Sequence, residues 1–213
     1  MDITWYGQAC FRLRDRSVTV VADPYDKSIN LKLPRLTADI VTVSHQHGDH
    51  NFVEGVKGEP FVISSPGEYE IKGLFVTGVA MWHDSKNGAE RGRNTIHLYD
   101  FADATVCHLG DLGHVPTQAQ VEEMGNVDVL LVPVGGTYTI DAGKAAEVIS
   151  LIEPSIVVPM HYALPGLANS LDPLEVFLKE MGIKEPDTRE MLSVTNKQLP
   201  EETKVVILEC RAG

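Results

Sequence analysis

The stretch Ser44-His45-Gln46-His47-Gly48-Asp49-His50 follows an apolar run and places three imidazoles and one carboxylate within six residues. His45 and His47 stand two residues apart, so an extended backbone at the end of a strand directs both side chains to the same side. Asp49 and His50 follow a turn and approach from another direction. Imidazole and carboxylate ligands without sulfur suit zinc, manganese or iron. The stretch therefore predicts a metal site, and a histidine-rich surface loop is the alternative.

The pattern His-x-His-x-Asp-His after a strand resembles the metallo-β-lactamase superfamily. Three further strand-like runs downstream end on a residue of the same two types, at His83, Asp111 and His161. The resemblance implies a ligand at each of these positions. All seven ligand positions of the family are then filled in the family's order, and the match covers nearly the whole chain.

The resemblance divides the seven residues between two metal ions. The implied first site consists of His45, His47 and His83. The implied second site consists of Asp49, His50 and His161, and Asp111 bridges the two metals. Zinc is the favoured metal, with manganese or iron as alternatives.

The fold that the resemblance implies is an α/β (α+β) four-layer αββα sandwich, the metallo-β-lactamase fold. At 213 residues the chain is most simply a single domain over residues 1–213. Four short segments, at 5–9, 65–70, 135–138 and 159–162, are similar to a short branch of the family that resembles L-ascorbate-6-phosphate lactonase. We interpret Gly135-Gly136 as a place where backbones approach closely beside the cavity.

Period and turn residues predict strands in the first half and helices later. Residues 95–101 and 104–109 predict a hairpin that precedes Asp111. Thr117 predicts the N-cap of a helix that stops at Gly125, and Asp141 predicts the cap of a helix ending near residue 152. Asp172 is predicted to start a third helix, with Pro173 at its first position.

Composition restricts the function. Hydrophobic residues make up 43% of the chain, and no apolar run reaches the roughly 20 residues that a membrane span needs. The first residues lack the basic and apolar parts of a signal peptide, so a cytoplasmic protein is expected. A net charge of −12 with scattered basic residues argues against nucleic acid as a partner. The three cysteines, Cys10, Cys107 and Cys210, are not assigned to the metal site.

The expected activity is hydrolysis of a small-molecule ester, lactone, amide or phosphodiester. Two metals lower the pKa of a shared water to about neutrality and so make hydroxide available as the nucleophile. Asp49 and Asp111 are the predicted catalytic residues, Asp49 as a proton acceptor and Asp111 as the bridge. The positive metal centre favours an anionic or carbonyl-containing substrate.

Three alternatives remain beside this hydrolase. A di-iron oxidoreductase of the same fold carries glutamate in place of the second histidine of the motif, and His47 argues against this alternative. A nuclease-type phosphodiesterase usually carries an additional RNA-binding domain or arm. A non-catalytic metal-binding or sensor protein usually lacks ligands. The substrate, the physiological metal and the oligomeric state, including a homo-oligomer, stay undetermined.

Four residues beside the ligand set have open roles. His97 is interpreted as a hydrogen-bonded structural residue inside a strand, and His108 either as a residue that orients the site or as a core histidine. His114 and Tyr162 could face the substrate, although packing is the more common role for a tyrosine in such a position.

Overall fold

The computed structural model describes residues 1–213, and its centre consists of two β-sheets. The first sheet has six strands in the order β15-β1-β2-β3-β5-β7. These strands are β1 (Asp2–Trp5), β2 (Phe11–Arg14), β3 (Thr19–Ala22), β5 (Ile40–Thr42), β7 (Phe61–Ile63) and β15 (Leu192–Ser193). β3, β5 and β7 are parallel neighbours, so their carboxyl ends lie at one edge of the sheet. This edge receives the histidine-rich stretch that follows β5.

The second sheet has eight strands in the order β14-β16-β13-β12-β11-β10-β9-β8. They are β8 (Gly67–Ile71), β9 (Leu74–Trp82), β10 (Arg93–Phe101), β11 (Ala104–His108), β12 (Val129–Pro133), β13 (Ile156–Met160), β14 (Asp187–Arg189) and β16 (Lys204–Leu208). β8 to β11 are antiparallel, whereas β11, β12, β13 and β16 are parallel. The carboxyl ends of β11 and β13 therefore meet at the same edge.

Three short α-helices follow in the later half of the chain: α1 (Gln118–Met124), α2 (Ala142–Ile152) and α3 (Leu174–Glu180). The predicted caps of the first two are confirmed. Thr117 forms a capping box with Gln120, and the Asp141 side chain accepts the backbone N–H of Lys144. None of the three helices combines the length and the apolar character that a membrane span requires.

The predicted start of α3 was wrong by one residue. Pro173 is the N-cap, with an extended ψ of 155°, and the helix begins at Leu174. Strands β14 and β15 were not predicted, because they are short and carry mixed polar sequence. β15 nevertheless extends the first sheet by pairing Ile3 with Leu192.

The main core lies between the two sheets. Its 44 buried residues include Leu13 and Val20 from the first sheet and Val76 and Leu130 from the second. A second cluster of 10 residues, among them Val21, covers the opposite face of the first sheet. Val20 and Val21 are neighbours, so β3 is apolar on both faces. The outer layer over this face contains 3-10 turns and the two-stranded ribbon of β4 (Leu36–Thr37) and β6 (Val56–Lys57).

Candidate metal centre

The seven residues singled out in the sequence all follow the ends of strands. The stretch after β5 contributes four of them, and β9, β11 and β13 are followed by one each: His45, His47, Asp49, His50, His83, Asp111 and His161. Because the parallel strands in both sheets end at the same edge, these side chains are brought to one place. Six of these seven His and Asp side chains fall into two groups of three, and Asp111 is the seventh.

The first group consists of His45, His47 and His83, and the second of Asp49, His50 and His161. Within each group, one nitrogen or oxygen atom per residue lies within 4.8 Å of its partners. Imidazole nitrogen and carboxylate oxygen are ligands for zinc and similar divalent ions. Each group therefore has the donor atoms and the spacing for one ion.

Asp111 lies between the two groups. Its Oδ2 is 3.3 Å from Nε2 of His50 and 3.4 Å from Nε2 of His83. Its Oδ1 is 3.4 Å from Nε2 of His161. One carboxylate therefore contacts histidines of both groups, which is the arrangement that a bridging ligand needs.

Unpartnered polar atoms test whether the residues fit metal ions. Nε2 of His45, Nε2 of His50 and Oδ1 of Asp111 are all buried and have no hydrogen-bond partner. Buried polar atoms without partners are rare in folded proteins. Three of them around one point, all good ligand atoms, fit a centre that is completed by bound cations.

Burial keeps two imidazoles of the first group neutral. It lowers the pKa of His45 to about 2, and the nearby His50 adds to this effect. Burial also lowers the pKa of His83, although Asp111 acts in the opposite direction. Neutral imidazoles carry the lone pair that binds a metal, so both histidines are in the ligand form at neutral pH.

His50 has the opposite tendency because it lies between two carboxylates. Burial alone would lower its pKa, but Asp111 and Asp23 outweigh this and raise it well above the usual value. The pKa of Asp111 is lowered well below its usual range, since His161 and His50 outweigh its burial. The centre thus favours positive charge in the second group.

Asp23 is the important residue that sequence reasoning missed. It follows β3, is fully buried, and its Oδ2 accepts the Nδ1 proton of His50 at 2.8 Å and the Ser44 hydroxyl at 2.5 Å. Burial alone would raise its pKa, but the hydrogen bond from His50 and the charges of His108, His50 and His45 together lower it to about 2. This contact fixes the imidazole with Nε2 towards Asp111. The signal available in the sequence was that Asp23 directly follows the apolar run of residues 18–22, as the histidine-rich stretch follows the run of residues 40–43.

A cavity of about 460 Å³ opens over the two groups. Its ten lining residues combine five of the seven with a second set that was not predicted. The lining consists of His47, Asp49, His83, Asp111, His161, Ser28, Ile29, Arg91, Tyr138 and Asn169. Arg91 is the one lysine or arginine among them.

The loop after His83 presents Arg91 to this cavity. The Asp84 carboxylate accepts the backbone N–H groups of four loop residues at 2.7–3.0 Å, from Lys86, Gly88, Glu90 and Arg91. These bonds outweigh desolvation and lower the pKa of Asp84 to about 2. The Arg91 guanidinium lies 5.8 Å from the ring centroid of Tyr138, within cation–π range, and forms no ion pair. Through Arg91 this loop forms part of the cavity rim.

Two glycines allow close backbone approach around the ligands. A Cβ on Gly135 would lie 2.0 Å from the carbonyl oxygen of His161, and a Cβ on Gly113 would lie 2.3 Å from the backbone nitrogen of Asp84. Any larger residue would displace these backbones. The interpretation of Gly135 as a site of close approach agrees with this geometry.

The open roles of three residues are structural in this arrangement. His108 bonds to the carbonyl of Ala9 at 2.8 Å and accepts the N–H of Gly110, so it holds the loop before Asp111. His114 bonds to the backbone at Val115 and Trp82. Tyr162 packs on Trp5, with ring centroids 5.0 Å apart. Neither His114 nor Tyr162 lines the cavity.

His97 differs from its sequence interpretation. It is fully buried in β10, as a structural residue would be, but neither ring nitrogen has a hydrogen-bond partner. Its desolvation lowers its pKa to about 4, so it is neutral at pH 7. The expectation of a hydrogen-bonded residue was wrong, because its strand neighbours Gly78 and His108 offer it no partner.

Comparison with known proteins agrees with this architecture. A family model described as a beta-lactamase superfamily domain matches residues 2–161. A UPF0173 metal-dependent hydrolase from Pyrococcus abyssi is 31% identical over 214 residues, which covers 86% of this chain and 93% of that protein. A UPF0173 protein from Pyrococcus furiosus is also 31% identical, over 85% of this chain and 90% of that protein.

A solved structure from Thermotoga maritima is similar over almost the full length. It is described as a candidate Zn-dependent hydrolase of the metallo-β-lactamase superfamily. The two chains are 42% identical, 98% of each is covered, and the TM-score is 0.81.

Proposed function

This chain belongs to the beta-lactamase superfamily, has the metallo-β-lactamase fold and is a metal-dependent hydrolase, and from that premise we propose that it holds two divalent ions and cleaves a small ester, lactone or phosphodiester. Zinc is the first choice of metal, with manganese or iron as alternatives. The observation that carries the proposal is Asp111, whose two oxygens contact histidines of both groups. A single-domain protein is part of the proposal, since the ligands come from both sheets.

Each set of residues has its own proposed role. The first group would hold one ion and the second group the other, with Asp111 between them. Ions bound there supply a strong Lewis acid and lower the pKa of water to about neutrality. Asp49 is the one carboxylate of the second group, and its side chain is 20% exposed at the cavity. It is therefore placed to take a proton from the reacting water and pass it to the leaving group.

Charge and volume support a small anionic substrate. The cavity of about 460 Å³ suits a small molecule. Arg91 is the cation in its wall, and Ser28 and Asn169 offer further hydrogen-bonding groups. A net charge of −12 works against a long nucleic acid in the same place.

The test of this proposal is Asp111→Asn, which keeps the volume and removes one negative charge. We expect the second ion to be lost first and the hydrolysis rate to fall by about 100-fold or more, with folding retained. Metal content per chain should be measured, together with the turnover of a panel of lactones, phosphodiesters, thioesters and β-lactams. Asp100→Asn, an exposed change on β10, is the matched control. Two ions per chain and an undiminished rate in Asp111→Asn would contradict the bridging role.

A further inference from the structure

Gln8 lies in the turn between β1 and β2, and its backbone is held in an unusual conformation. Its φ is 49°, in the left-handed region that residues other than glycine rarely adopt. Its carbonyl oxygen accepts the indole N–H of Trp5 at 3.0 Å and the backbone N–H of His161 at 3.1 Å. Two donors from different elements thus hold a strained residue against the second group.

The Gln8 side chain is directed into that group. Only 1% of the residue is exposed. Its amide Nε2 lies 2.9 Å from Oδ2 of Asp49 and 2.8 Å from Nε2 of His161. Its Oε1 is buried without a hydrogen-bond partner. The amide therefore contacts two of the three residues of the second group and leaves its oxygen unsatisfied.

This arrangement conflicts with a bound cation unless the amide turns over. An ion held by Asp49 and His161 occupies the lone pair of the His161 nitrogen, which is the lone pair that the Gln8 NH₂ group approaches. An NH₂ group is a donor and is repelled by a cation, whereas an amide oxygen is a good ligand for one. Rotation of the terminal amide by half a turn exchanges nitrogen and oxygen with almost no change in shape.

We propose that Gln8 is a ligand of the second ion, through its amide oxygen, together with Asp49, His50 and His161. The inference rests on the two-ion function proposed above. A neutral oxygen ligand adds no charge, so it strengthens the site without reducing the attraction of the centre for an anionic substrate. The bonds from Trp5 and His161 to its backbone hold this ligand in position before an ion arrives.

Two substitutions separate a ligand from a hydrogen-bond donor. Gln8→Glu keeps an oxygen at the same reach but removes the N–H that Asp49 accepts. Gln8→Leu keeps a similar volume and removes both the oxygen and the N–H. A ligand role predicts that Gln8→Glu retains the second ion with equal or tighter affinity. It also predicts that Gln8→Leu weakens that ion by about 10- to 100-fold.

The measurements are zinc stoichiometry by equilibrium dialysis and the visible spectrum after cobalt(II) substitution, which reports the ligands around each ion. Gln8→Asn serves as a second loss variant if Gln8→Leu fails to fold. Asparagine tolerates the left-handed backbone and shortens the reach by one methylene, so it should also weaken the second ion. Gln46→Glu and Gln46→Leu, on an exposed side chain of the same histidine-rich stretch, are the matched controls.

Unchanged binding of both ions by Gln8→Leu and Gln8→Asn would overturn the proposal. Loss of the second ion in Gln8→Glu, as in Gln8→Leu, would also overturn it, because a hydrogen-bond donor role predicts that result. A wild-type protein that binds one ion only would contradict the two-ion function instead. The two failures are therefore distinguishable by the stoichiometry of the wild-type protein.

Discussion

At the residue scale, hydrogen bonds decide which atoms of the centre are free to act. The Nδ1 atom of His50 donates to Asp23, which leaves its Nε2 directed at Asp111. A carboxylate that orients a histidine in this way also raises the basicity of its other nitrogen. Through this hydrogen bond, Asp23 would strengthen the binding of a metal ion by Nε2 of His50.

Arg91 should determine preference for an anionic substrate. A charge-assisted hydrogen bond to the guanidinium predicts that 4-nitrophenyl glutarate, with a free carboxylate, is hydrolysed about 10- to 100-fold faster than its methyl ester. Arg91→Gln should remove this preference through a higher KM for the anionic ester. Arg93→Gln, at an exposed residue on β10, is the matched control. Equal kcat/KM for both esters in the wild-type protein would contradict the role.

His97→Leu should increase the free energy of unfolding, and the increase should be larger at acidic pH than at neutral pH. In the folded protein burial lowers the His97 pKa to about 4, with Asp23 and His108 as the other groups that influence it. The unfolded chain therefore takes up a proton as pH falls below 6.5, while the folded chain stays neutral until about pH 4. As pH falls through this window, the free energy of unfolding of the wild-type protein decreases, by about 2 kcal/mol at pH 5. His97→Leu removes this decrease because leucine does not titrate.

Urea unfolding of the metal-free protein at pH 7 and pH 5 measures this difference. Removal of two unpartnered nitrogens should add about 1 kcal/mol at pH 7 as well. His97→Gln does not titrate but stays polar, so it should share the pH effect without the gain at pH 7. Metal content should be unchanged in both variants. A wild-type-like pH dependence in His97→Leu would show that another group is responsible.

At the element scale, the loop of residues 84–92 is organised from one point. Its backbone amides converge on the Asp84 carboxylate, and its Gly88 and Gly92 have positive φ values of 79° and 84°. The loop joins β9 and β10, two nine-residue strands whose pairing fixes both of its ends. Arg91 therefore stands on a short, internally bonded segment.

Asp84→Ala should loosen this loop and leave the sheet intact. The amides that lose their acceptor should exchange with deuterium faster, and KM for an anionic substrate should rise several-fold, since Arg91 is no longer held in place. Hydrogen exchange by mass spectrometry and steady-state kinetics measure the two effects. Glu90→Ala removes an exposed ion pair with Lys86 in the same loop and should change neither the amide exchange nor the KM. Unaltered exchange in Asp84→Ala would contradict this account of the loop.

At the scale of the whole molecule, the metal centre joins the two sheets. The four residues after β5 belong to the first sheet, and His83, Asp111 and His161 follow strands of the second. The backbone N–H of His161 also donates to the carbonyl of Gln8, across the same boundary. Ions bound here would hold both halves of the sandwich together at one edge.

Removal of metal should therefore lower the thermal stability of the whole fold. A ligand at 100 times its Kd stabilises the native state by about 2.7 kcal/mol, which corresponds to about 5–10 °C in Tm for a chain of this size. Calorimetry with and without a chelator, followed by re-addition of zinc, measures the shift. Asp111→Asn should show a smaller shift than the wild type. An unchanged Tm after complete removal of the metal would show that the ions do not join the sheets.

The individual strands and helices were predictable because their signals are local in the sequence, whereas the arrangement of the two sheets was implied by the family resemblance. Strand and helix periods, the caps at Thr117 and Asp141, and the histidine-rich stretch each depend on neighbouring residues. The short β14 and β15 carry no such signal. They form because β16 and β1 offer them free strand edges, which only the assembled sheets provide.

Residue types and their order along the chain were enough to recognise the family resemblance, and that resemblance implied the two-sheet fold class and the seven residues around the centre. Only the tertiary structure revealed Asp23 behind His50, Gln8 against Asp49 and His161, and Arg91 in the cavity wall. The lack of a hydrogen-bond partner for the ring nitrogens of His97 was likewise revealed only by the tertiary structure. Each of these depends on contacts between residues distant in the chain. Such contacts are set by strand register and loop geometry, and neither is encoded in any single segment.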